Sequence, residues 1–393
     1  MAQFLLLLCI KEKLGKGFMA HPPQTTALHE LWHARCPVPT PLSVAVQLGW
    51  VESVLRQMGG IRLRSLPETS DPVESAQYHE SALPNSFRQG GSVPAIWARA
   101  NGQRTRVIGL SWTDEYQAVI AMPRAGLTTI GQLRGRRIGI PQHDVTIDHS
   151  RVAALRAFSA ILAAEGLSLA DVELVDLPDH QIPSVTRDGA VIATGNGRRG
   201  RYRYTSEVHA LARGDVDAVY VKDTSGAQAT HLLGAMVIGN IGFHPDRHVR
   251  INNGTPRPLT VSQYLLDQHP NVVRGLLTQV VRAGEWACTN REATITMVAR
   301  EIGWAENWVR YGYGDDVHKN LRLGLSPSWV TGLDTYKNFL AVQGFLADNF
   351  DINDWVDPAP LRDVLDHMQR PTAAPARHTG DHSGWQTLPN IYH

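Results

Sequence analysis

The sequence has little cysteine and almost no net charge of either sign. Its 393 residues include 3 cysteines, and 38 Lys and Arg oppose 37 Asp and Glu, which leaves a formal net charge of +1. Three widely spaced cysteines cannot all pair, so the sequence offers no disulfide framework and favours a reducing compartment. A near-neutral chain also lacks the charge that would attract nucleic acid or an anionic membrane surface, and we predict neither partner.

Long hydrophobic runs are missing as well. The apolar run at residues 4–10 is too short to cross a bilayer. No positive charge precedes it and no small-residue cleavage site follows it, so it does not match a secretion signal. If Met19 is the true start, the preceding residues are only an extension. We therefore expect a cytoplasmic protein.

Apolar residues make up 43% of the chain, which excludes wholesale disorder, and the chain is longer than one core usually supports. From residue 40 onward, helical and strand patterns alternate, which predicts an α/β fold with mainly parallel strands. An apolar stripe with helical spacing runs from Val273 to Gly284. The other predicted helices are 44–58, 93–100 and 151–164, the last with a second apolar stripe on one face. The predicted strands are 61–66, 106–110, 116–122 and 172–175, and the segments 133–140 and 214–221 each lead into a further strand.

Two joints divide the predicted chain into lobes, one near 111–115 and one near 239–245. We expect a loose extension at 1–27, a first lobe at 28–112 that resumes at 241–370, a second lobe at 113–240 and a loose tail at 371–393. In such a fold a ligand binds between the lobes, at the carboxyl ends of the strands.

His29 and His33 form an H-E-x-x-H match, the pattern of zinc proteases. Zinc binding needs both imidazoles on one sustained helix and a third ligand. Prolines at 37, 39 and 41 leave room for barely two helical turns, and no third ligand follows in the expected context. We therefore interpret the motif as a short amphipathic helix that buries Leu31 and Trp32, and we predict no metal.

A second match, G-x-G-x-x-G at residues 195–200, resembles a dinucleotide fingerprint. No helix opens within it, because an irregular basic segment follows. One short basic cluster in a neutral chain is also weak evidence for RNA binding. We interpret residues 182–204 as a Gly-rich loop and a candidate lid over the cleft.

The best candidate chemistry lies in the order Cys36, His79 and Arg88-x-Gly90-Gly91. Cysteine beside proline can be a buried hydrophobe in a rigid loop, but this one precedes the first helix of a cleft-forming fold. A histidine can exchange protons with a thiol. Arginine binds planar oxyanions with two donors, while glycines and a helix start let backbone N–H groups approach the anion.

Three segments, 133–140, 167–175 and 214–221, resemble the periplasmic-binding-protein-like family of sulfonate, nitrate and thiamine-precursor binders. That resemblance implies a two-lobed type II fold with a ligand cleft between its lobes. The segment Cys36-Pro-Val-Pro39, His79 and Arg88-x-Gly-Gly91 resemble the active-site pattern of the 2'-hydroxybiphenyl-2-sulfinate desulfinase family.

This second resemblance implies hydrolysis of an aryl carbon–sulfur bond to give a phenol and sulfite, the last step of dibenzothiophene desulfurisation, without a metal or organic cofactor. It implies Cys36 as the catalytic thiol, His79 as its partner and Arg88 with the Gly91 amide as sulfinate binders, and we add the Gly90 amide. Arg35 departs from the family pattern, the spacing from His79 to Arg88 is about one residue short, and Ala153 stands where a bulky ring is expected.

Two alternative functions also remain open. A solute-binding protein for an aryl sulfonate would use the same Arg88 and Gly91 and need no thiol, but it would require export. A thiamine-pyrimidine synthase relative would need a Cys-rich iron cluster, which the sequence lacks. The residues do not decide whether Cys36 acts as nucleophile or proton donor, and they indicate no oligomeric state; a monomer is compatible with them.

Overall fold

The computed structural model describes residues 27–67, 83–143, 145, 147–178, 184–185, 191–192 and 204–369. Within these ranges, mixed β-sheets are flanked by helices, which confirms the predicted α/β class. The predicted tail and almost all of the predicted N-terminal extension lie outside the described residues, as does most of the candidate lid. No helix in the described ranges is long and apolar enough to span a membrane.

The first sheet contains six strands: β1 (Glu30–Arg35), β2 (Arg62–Pro67), β3 (Ser86–Gln89), β4 (Thr105–Ser111), β12 (Arg257–Ser262) and β13 (Leu323–Gly324). Their order across the sheet is β13-β4-β12-β3-β1-β2. Strand β1 pairs in parallel with β2 and β3, whereas β12 runs antiparallel to β3 and β4. The carboxyl ends of β1 and β3 therefore share one edge with the start of β12.

The second sheet contains five strands: β5 (Gln117–Ala121), β6 (Arg137–Gln142), β7 (Glu173–Pro178), β10 (Ala218–Lys222) and β11 (Met236–Asn240). Their order is β11-β5-β10-β6-β7, with β6 parallel to β7 and β10. Strands β8 (Ser184–Val185) and β9 (Val191–Ile192) form a separate antiparallel pair. The strands of the second sheet all lie within 113–240, the range predicted for the second lobe, while the domain boundaries themselves stay a prediction.

Among the described residues, five short 3-10 turns lie between the larger elements, and helices cover both sheets. They are α1 (Pro41–Gln47), α2 (Trp50–Gln57), α3 (Ser92–Ala100), α4 (His149–Ala164), α5 (Thr205–Arg213), α6 (Asp223–Leu233), α7 (Arg247–Arg250), α8 (Gln263–Gln268), α9 (Pro270–Thr289), α10 (Arg291–Ile302), α11 (Glu306–Tyr313), α12 (Pro327–Val342) and α13 (Ala359–Gln369).

Two apolar helix stripes hold the sheets in place. The predicted stripe of α9 is buried in the core beside the first sheet, and that of α4 is buried in the core beside the second. Each fully buried Leu, Ile or Val contributes about 1.5–3 kcal/mol to folding. The helices predicted at 93–100 and 151–164 are confirmed as α3 and α4.

The single helix predicted at 44–58 is wrong. The structure has two helices there, α1 and α2, which are separated at Gly49. Gly49 has a φ of 72°, a left-handed conformation that an α-helix cannot continue through. The apolar residues before and after Gly49 have helical spacing, because α1 and α2 each bury one face against the same core. The pattern therefore did not indicate that the helix ends at Gly49.

The helix predicted around His29 and His33 is also wrong. Residues 30–35 form β1, so the two imidazoles do not share one helical face. His33 is buried and stacks on Phe87, with ring centroids 5.3 Å apart, whereas His29 is exposed. The alternation of buried Leu31 with less buried Trp32 is that of a strand.

A buried ion cluster connects the two sheets. Glu115, in the connection from β4 to β5, accepts from Arg257 Nη2 at 2.6 Å and from Lys222 Nζ at 2.7 Å. Arg257 begins β12 in the first sheet, and Lys222 ends β10 in the second. The side chains of Glu115 and Arg257 are 1% and 0% exposed, so water screens their charges little. The cluster thus ties a strand of each sheet to one carboxylate.

We expect the Glu115→Gln variant to lower the free energy of unfolding by roughly 3–5 kcal/mol, because it leaves buried cations without a counter-charge. Urea denaturation measures this change. Glu52→Gln is the matched control, since Glu52 pairs with Arg56 at 2.7 Å but both side chains are more than half exposed. That control should cost about 0.5 kcal/mol or less. Equal losses in the two variants would contradict the role given to Glu115.

Candidate active site

Cys36 and Gly90 lie side by side at the carboxyl edge of the first sheet. Cys36 directly follows β1, Gly90 directly follows β3, and the register pairs Arg35 with Gln89. A Cβ on residue 90 would lie 2.6 Å from Cys36 Cβ and 2.7 Å from Cys36 Sγ. Only glycine leaves this space to the thiol, which is half-buried and thus still reachable.

Arg88 joins the same contact group from within β3. Its side chain is buried at 3% exposure, and its Nη1 donates to the Gly91 carbonyl at 2.9 Å. Its Nη2 lies 3.3 Å from where a Cβ of Gly90 would stand. The structure therefore brings Cys36, Arg88, Gly90 and Gly91 together. The fifth predicted site residue, His79, lies outside the described residues.

Gln89 fixes the chain that follows Cys36. Its Oε1 accepts from the Leu42 N–H in the first turn of α1 at 3.2 Å, and its Nε2 donates to Ser111 Oγ at 3.2 Å. Gln89 is almost fully buried, so losing either bond would leave a polar group unsatisfied away from water. The side chain of Gln89 thereby ties the start of α1 to the end of β4.

The start of α3 differs from the expected anion site. The Ser92 N–H donates to the Asn253 carbonyl at 2.8 Å, and the Val93 N–H donates to Asn253 Oδ1 at 2.8 Å. Pro94, the next residue, has no N–H. The expectation that the helix start itself supplies donors is therefore wrong for Ser92 and Val93, since Asn253 occupies both.

Asn252 connects this edge to the second sheet. Its Nδ2 donates to the Ala153 carbonyl in α4 at 3.1 Å and to the Tyr220 hydroxyl in β10 at 3.2 Å. Its Oδ1 accepts from the Tyr336 hydroxyl at 3.3 Å. Asn252 is fully buried, so these bonds form away from water. They hold the loop before β12 against both α4 and β10.

A narrow opening with a cavity volume of about 20 Å³ lies on the second-sheet side of this loop. The ends of β6 and β10 and the starts of α4 and α5 line it. The lining residues are Pro141, His149, Ser150, Ala153, Tyr204, Glu207, Tyr220 and Lys222. Ala153 and Tyr220 also bind Asn252, so the opening adjoins the loop that carries Asn253.

Burial sets the protonation of several groups around the site. It raises the pKa of Tyr220 well above the ordinary value, so the phenol stays neutral. Burial also raises the pKa of Asp114, although Arg250 at 2.9 Å opposes the shift. For Asp148, burial acts in the same direction, but hydrogen bonds from His143 and from the α4 backbone outweigh it and the pKa is lowered.

Within the part of the chain that the structure describes, no group of three or more His, Cys, Asp or Glu side chains could hold a metal ion. The other described cysteine, Cys288, lies on α9, where its Sγ donates to the Gly284 carbonyl at 3.3 Å. Cys36 is thus the described cysteine that lies at the site.

Comparison with known proteins gives one consistent relationship, although no family model matches the chain. The chain is 26% identical to the 2'-hydroxybiphenyl-2-sulfinate desulfinase of Rhodococcus erythropolis over 366 residues. That alignment covers 85% of this chain and 93% of the relative. The chain resembles the 2'-hydroxybiphenyl-2-sulfinate desulfinases.

Solved structures agree with this result. A cysteine-to-serine mutant of the desulfinase DszB, in complex with biphenyl-2-sulfinic acid, matches with a TM-score of 0.68 and 25% identity, covering 86% of this chain and 99% of that one. The sulfonate-binding protein SsuA of Methylobacillus flagellatus matches with a TM-score of 0.64 and 17% identity, covering 89% and 99%. The predicted two-lobed, periplasmic-binding-protein-like fold is confirmed.

The resemblance to the desulfinases did not reveal every residue of the site. Gln89, Asn252 and Asn253 were missed because their roles depend on contacts across the sheet. The available signal was the pair of asparagines before Gly254, just ahead of the first residues of β12. Asparagine favours turns, so the pair on its own indicated no more than a loop.

We expect Gly90→Ala to lower the free energy of unfolding by about 1–3 kcal/mol, because the new methyl group overlaps the Cys36 side chain. Thermal unfolding followed by circular dichroism measures the change. Gly131→Ala is the control, since a Cβ there meets nothing within 4 Å. If Gly90→Ala is as stable as Gly131→Ala, the thiol does not occupy the space beside residue 90.

Proposed function

We propose that this protein is an aromatic sulfinate desulfinase that uses water to cleave the aryl carbon–sulfur bond. Its substrate is 2'-hydroxybiphenyl-2-sulfinate or a close relative, and its products are a phenol and sulfite. The proposal includes a cytoplasmic location and catalysis without a metal or organic cofactor. His79 is included as the proton partner of Cys36 on the strength of the sequence pattern.

One observation carries the proposal: a thiol and a guanidinium converge on the same glycine. Cys36 Sγ lies 2.7 Å and Arg88 Nη2 lies 3.3 Å from the position of a Cβ on Gly90. A guanidinium binds an oxyanion with charge-assisted hydrogen bonds, and sulfinate is such an anion. An anion held there by Arg88 and the Gly90 and Gly91 amides has its sulfur and its aryl carbon beside the thiol.

Cys36 acts in one of two ways on a sulfinate held in this position. As a thiolate it attacks sulfur, and a sulfur–sulfur bond forms while the aryl carbon–sulfur bond breaks. The aryl group leaves with the bonding electron pair and takes a proton, which gives the neutral phenol. Water then adds to the SO₂ sulfur of the Cys36 S–SO₂⁻ intermediate and cleaves the sulfur–sulfur bond, releasing sulfite and restoring the thiol.

As a thiol, Cys36 instead donates its proton to the ring carbon that bears sulfur. The carbon–sulfur electron pair forms the new carbon–hydrogen bond when sulfur dioxide departs, so no covalent intermediate with the enzyme arises. Water adds to the sulfur dioxide to give sulfite, and a proton returns to the thiolate. Both routes consume one water and need the same contact between Cys36 and the bound sulfinate.

The proposal places the aryl part of the substrate at the opening beside the second sheet, and its walls must move apart to admit a ring because the cavity volume is about 20 Å³. Ala153 contributes only a methyl group to this wall. Tyr204 and Tyr220 supply aromatic surface, while Lys222 and Glu207 make the remainder polar. A ring that carries a hydroxyl group matches this mixture better than an unsubstituted hydrocarbon does.

The alternative is a non-catalytic binding protein for an aryl sulfonate or related anion, and the likeness to SsuA in fold is compatible with it. Such a protein needs the arginine and the glycines but has no use for a thiol. The space that Gly90 leaves for Cys36 Sγ favours the enzyme. Turnover separates the two candidates directly.

We expect the wild type to release sulfite and a phenol from 2'-hydroxybiphenyl-2-sulfinate, and Cys36→Ser to lose at least about 100-fold in kcat. A colorimetric sulfite assay together with chromatography of the phenol measures both products. Cys288→Ser is the matched control and should retain activity within about twofold. No sulfite from the wild type with several aryl sulfinates would refute the enzyme, and full activity of Cys36→Ser would refute the thiol mechanism.

We expect Arg88→Lys to raise KM for the sulfinate about 10- to 100-fold, because lysine keeps the charge but loses the planar pair of donors. Steady-state kinetics on the purified variant measures the change. Arg56→Lys, on the exposed face of α2, serves as the control. An unchanged KM in Arg88→Lys would remove Arg88 from the sulfinate site.

A further inference from the structure

The carboxamide of Asn253 stands against the second glycine of the site. A Cβ on Gly91 would lie 2.7 Å from Asn253 Oδ1 and 2.9 Å from Asn253 Nδ2. Gly90, the residue before it, is in contact with Cys36. The two glycines are therefore flanked by the thiol from the end of β1 and by an amide side chain from the loop before β12.

Hydrogen bonds fix the orientation of this amide. The Val93 N–H is a donor, so the atom that it meets at 2.8 Å must be the oxygen of the Asn253 side chain. The Asn253 N–H also donates to Asn252 Oδ1 at 2.7 Å, which anchors the backbone. The NH₂ group consequently cannot exchange places with the oxygen without losing the bond to Val93.

The NH₂ group itself is not used by the fold. Asn253 is 8% exposed, and its Nδ2 forms no hydrogen bond with the described residues. Because this nitrogen is not sealed from solvent, an oxygen of a bound ligand can accept a hydrogen bond from it. The backbone N–H groups of Ser92 and Val93 cannot serve that ligand, since Asn253 already accepts from both.

We propose that Asn253 Nδ2 donates a hydrogen bond to an oxygen of the bound sulfinate, which makes Asn253 a substrate-binding residue. The inference rests on the proposed function for the identity of the anion. Arg88 approaches the anion from within β3, and one of its N–H groups is occupied by the Gly91 carbonyl. A second donor from the opposite side of Gly91 fixes the rotation of the SO₂ group, and with it the position of the aryl ring.

Asn253→Asp separates this role from a structural one. Aspartate keeps an oxygen for the Val93 N–H, so the start of α3 stays capped. It replaces the NH₂ donor by an anionic oxygen beside the bound anion. Asn253→Ala removes the cap and the donor together. Asn271→Asp is the control: it adds the same charge in the first turn of α9 and keeps an oxygen for Arg274.

The experiment measures the dissociation constants of 2'-hydroxybiphenyl-2-sulfinate and of its neutral product 2-hydroxybiphenyl by calorimetry, with each substitution placed in the Cys36→Ser background to prevent turnover. We expect Asn253→Asp to weaken sulfinate binding about 10- to 100-fold. Binding of the neutral phenol should stay within twofold, and the melting temperature should not fall. Asn271→Asp should leave all three quantities unchanged.

Sulfinate binding as tight in Asn253→Asp as in the parent would overturn the proposal, as would an equal loss for the neutral phenol, which would indicate a distorted pocket. If the wild type binds the sulfinate but releases no sulfite, the desulfinase is refuted. If Asn253→Asp binds the sulfinate more weakly in that case, Asn253 is still supported as a ligand of the anion. If the wild type releases sulfite and Asn253→Asp, made in the enzyme that keeps Cys36, retains the wild-type KM, the desulfinase stands and the role of Asn253 is refuted. No binding of the sulfinate by any form would overturn both.

Discussion

The parallel pairing of β1 with β3 is the constraint on which the rest of the site depends. Parallel strands end at the same edge of a sheet, and this register sets the residue after β1 beside the residue after β3. Cys36 and Gly90 are adjacent for that reason, although they lie 54 positions apart in the sequence. A shift of one residue in the register would turn Arg88 to the other face of the sheet and remove it from the thiol.

Polar contacts then hold the second sheet against this edge. Asn252 reaches α4 and β10, and Glu115 binds a cation from each sheet. Bonds of this kind depend on direction as well as distance, so they fix the relative position of the sheets more closely than apolar burial alone would. The opening beside the second sheet takes its shape from the same residues that join the sheets, because Ala153 and Tyr220 belong to both.

Much of the fold could be predicted because local patterns agree with the tertiary structure. The stripes on α4 and α9 have helical spacing and lie where that spacing requires. The helix predicted around His33 failed because a six-residue strand in a proline-rich context has too short a pattern to separate from a helix. Cys36, Arg88 and the glycines were found from their resemblance to an active-site pattern. Asn253 was not found in this way, because its place at the site depends on a contact with Gly91, which lies 162 positions away in the sequence.

The contact between Gly90 and Cys36 also constrains how such a thiol can arise in this fold. Any side chain on the residue after β3 would collide with the sulfur, because a Cβ there would lie 2.7 Å from Cys36 Sγ. A cysteine after β1 therefore requires glycine after β3 in this arrangement, and the two positions constrain each other by steric fit rather than by chemistry.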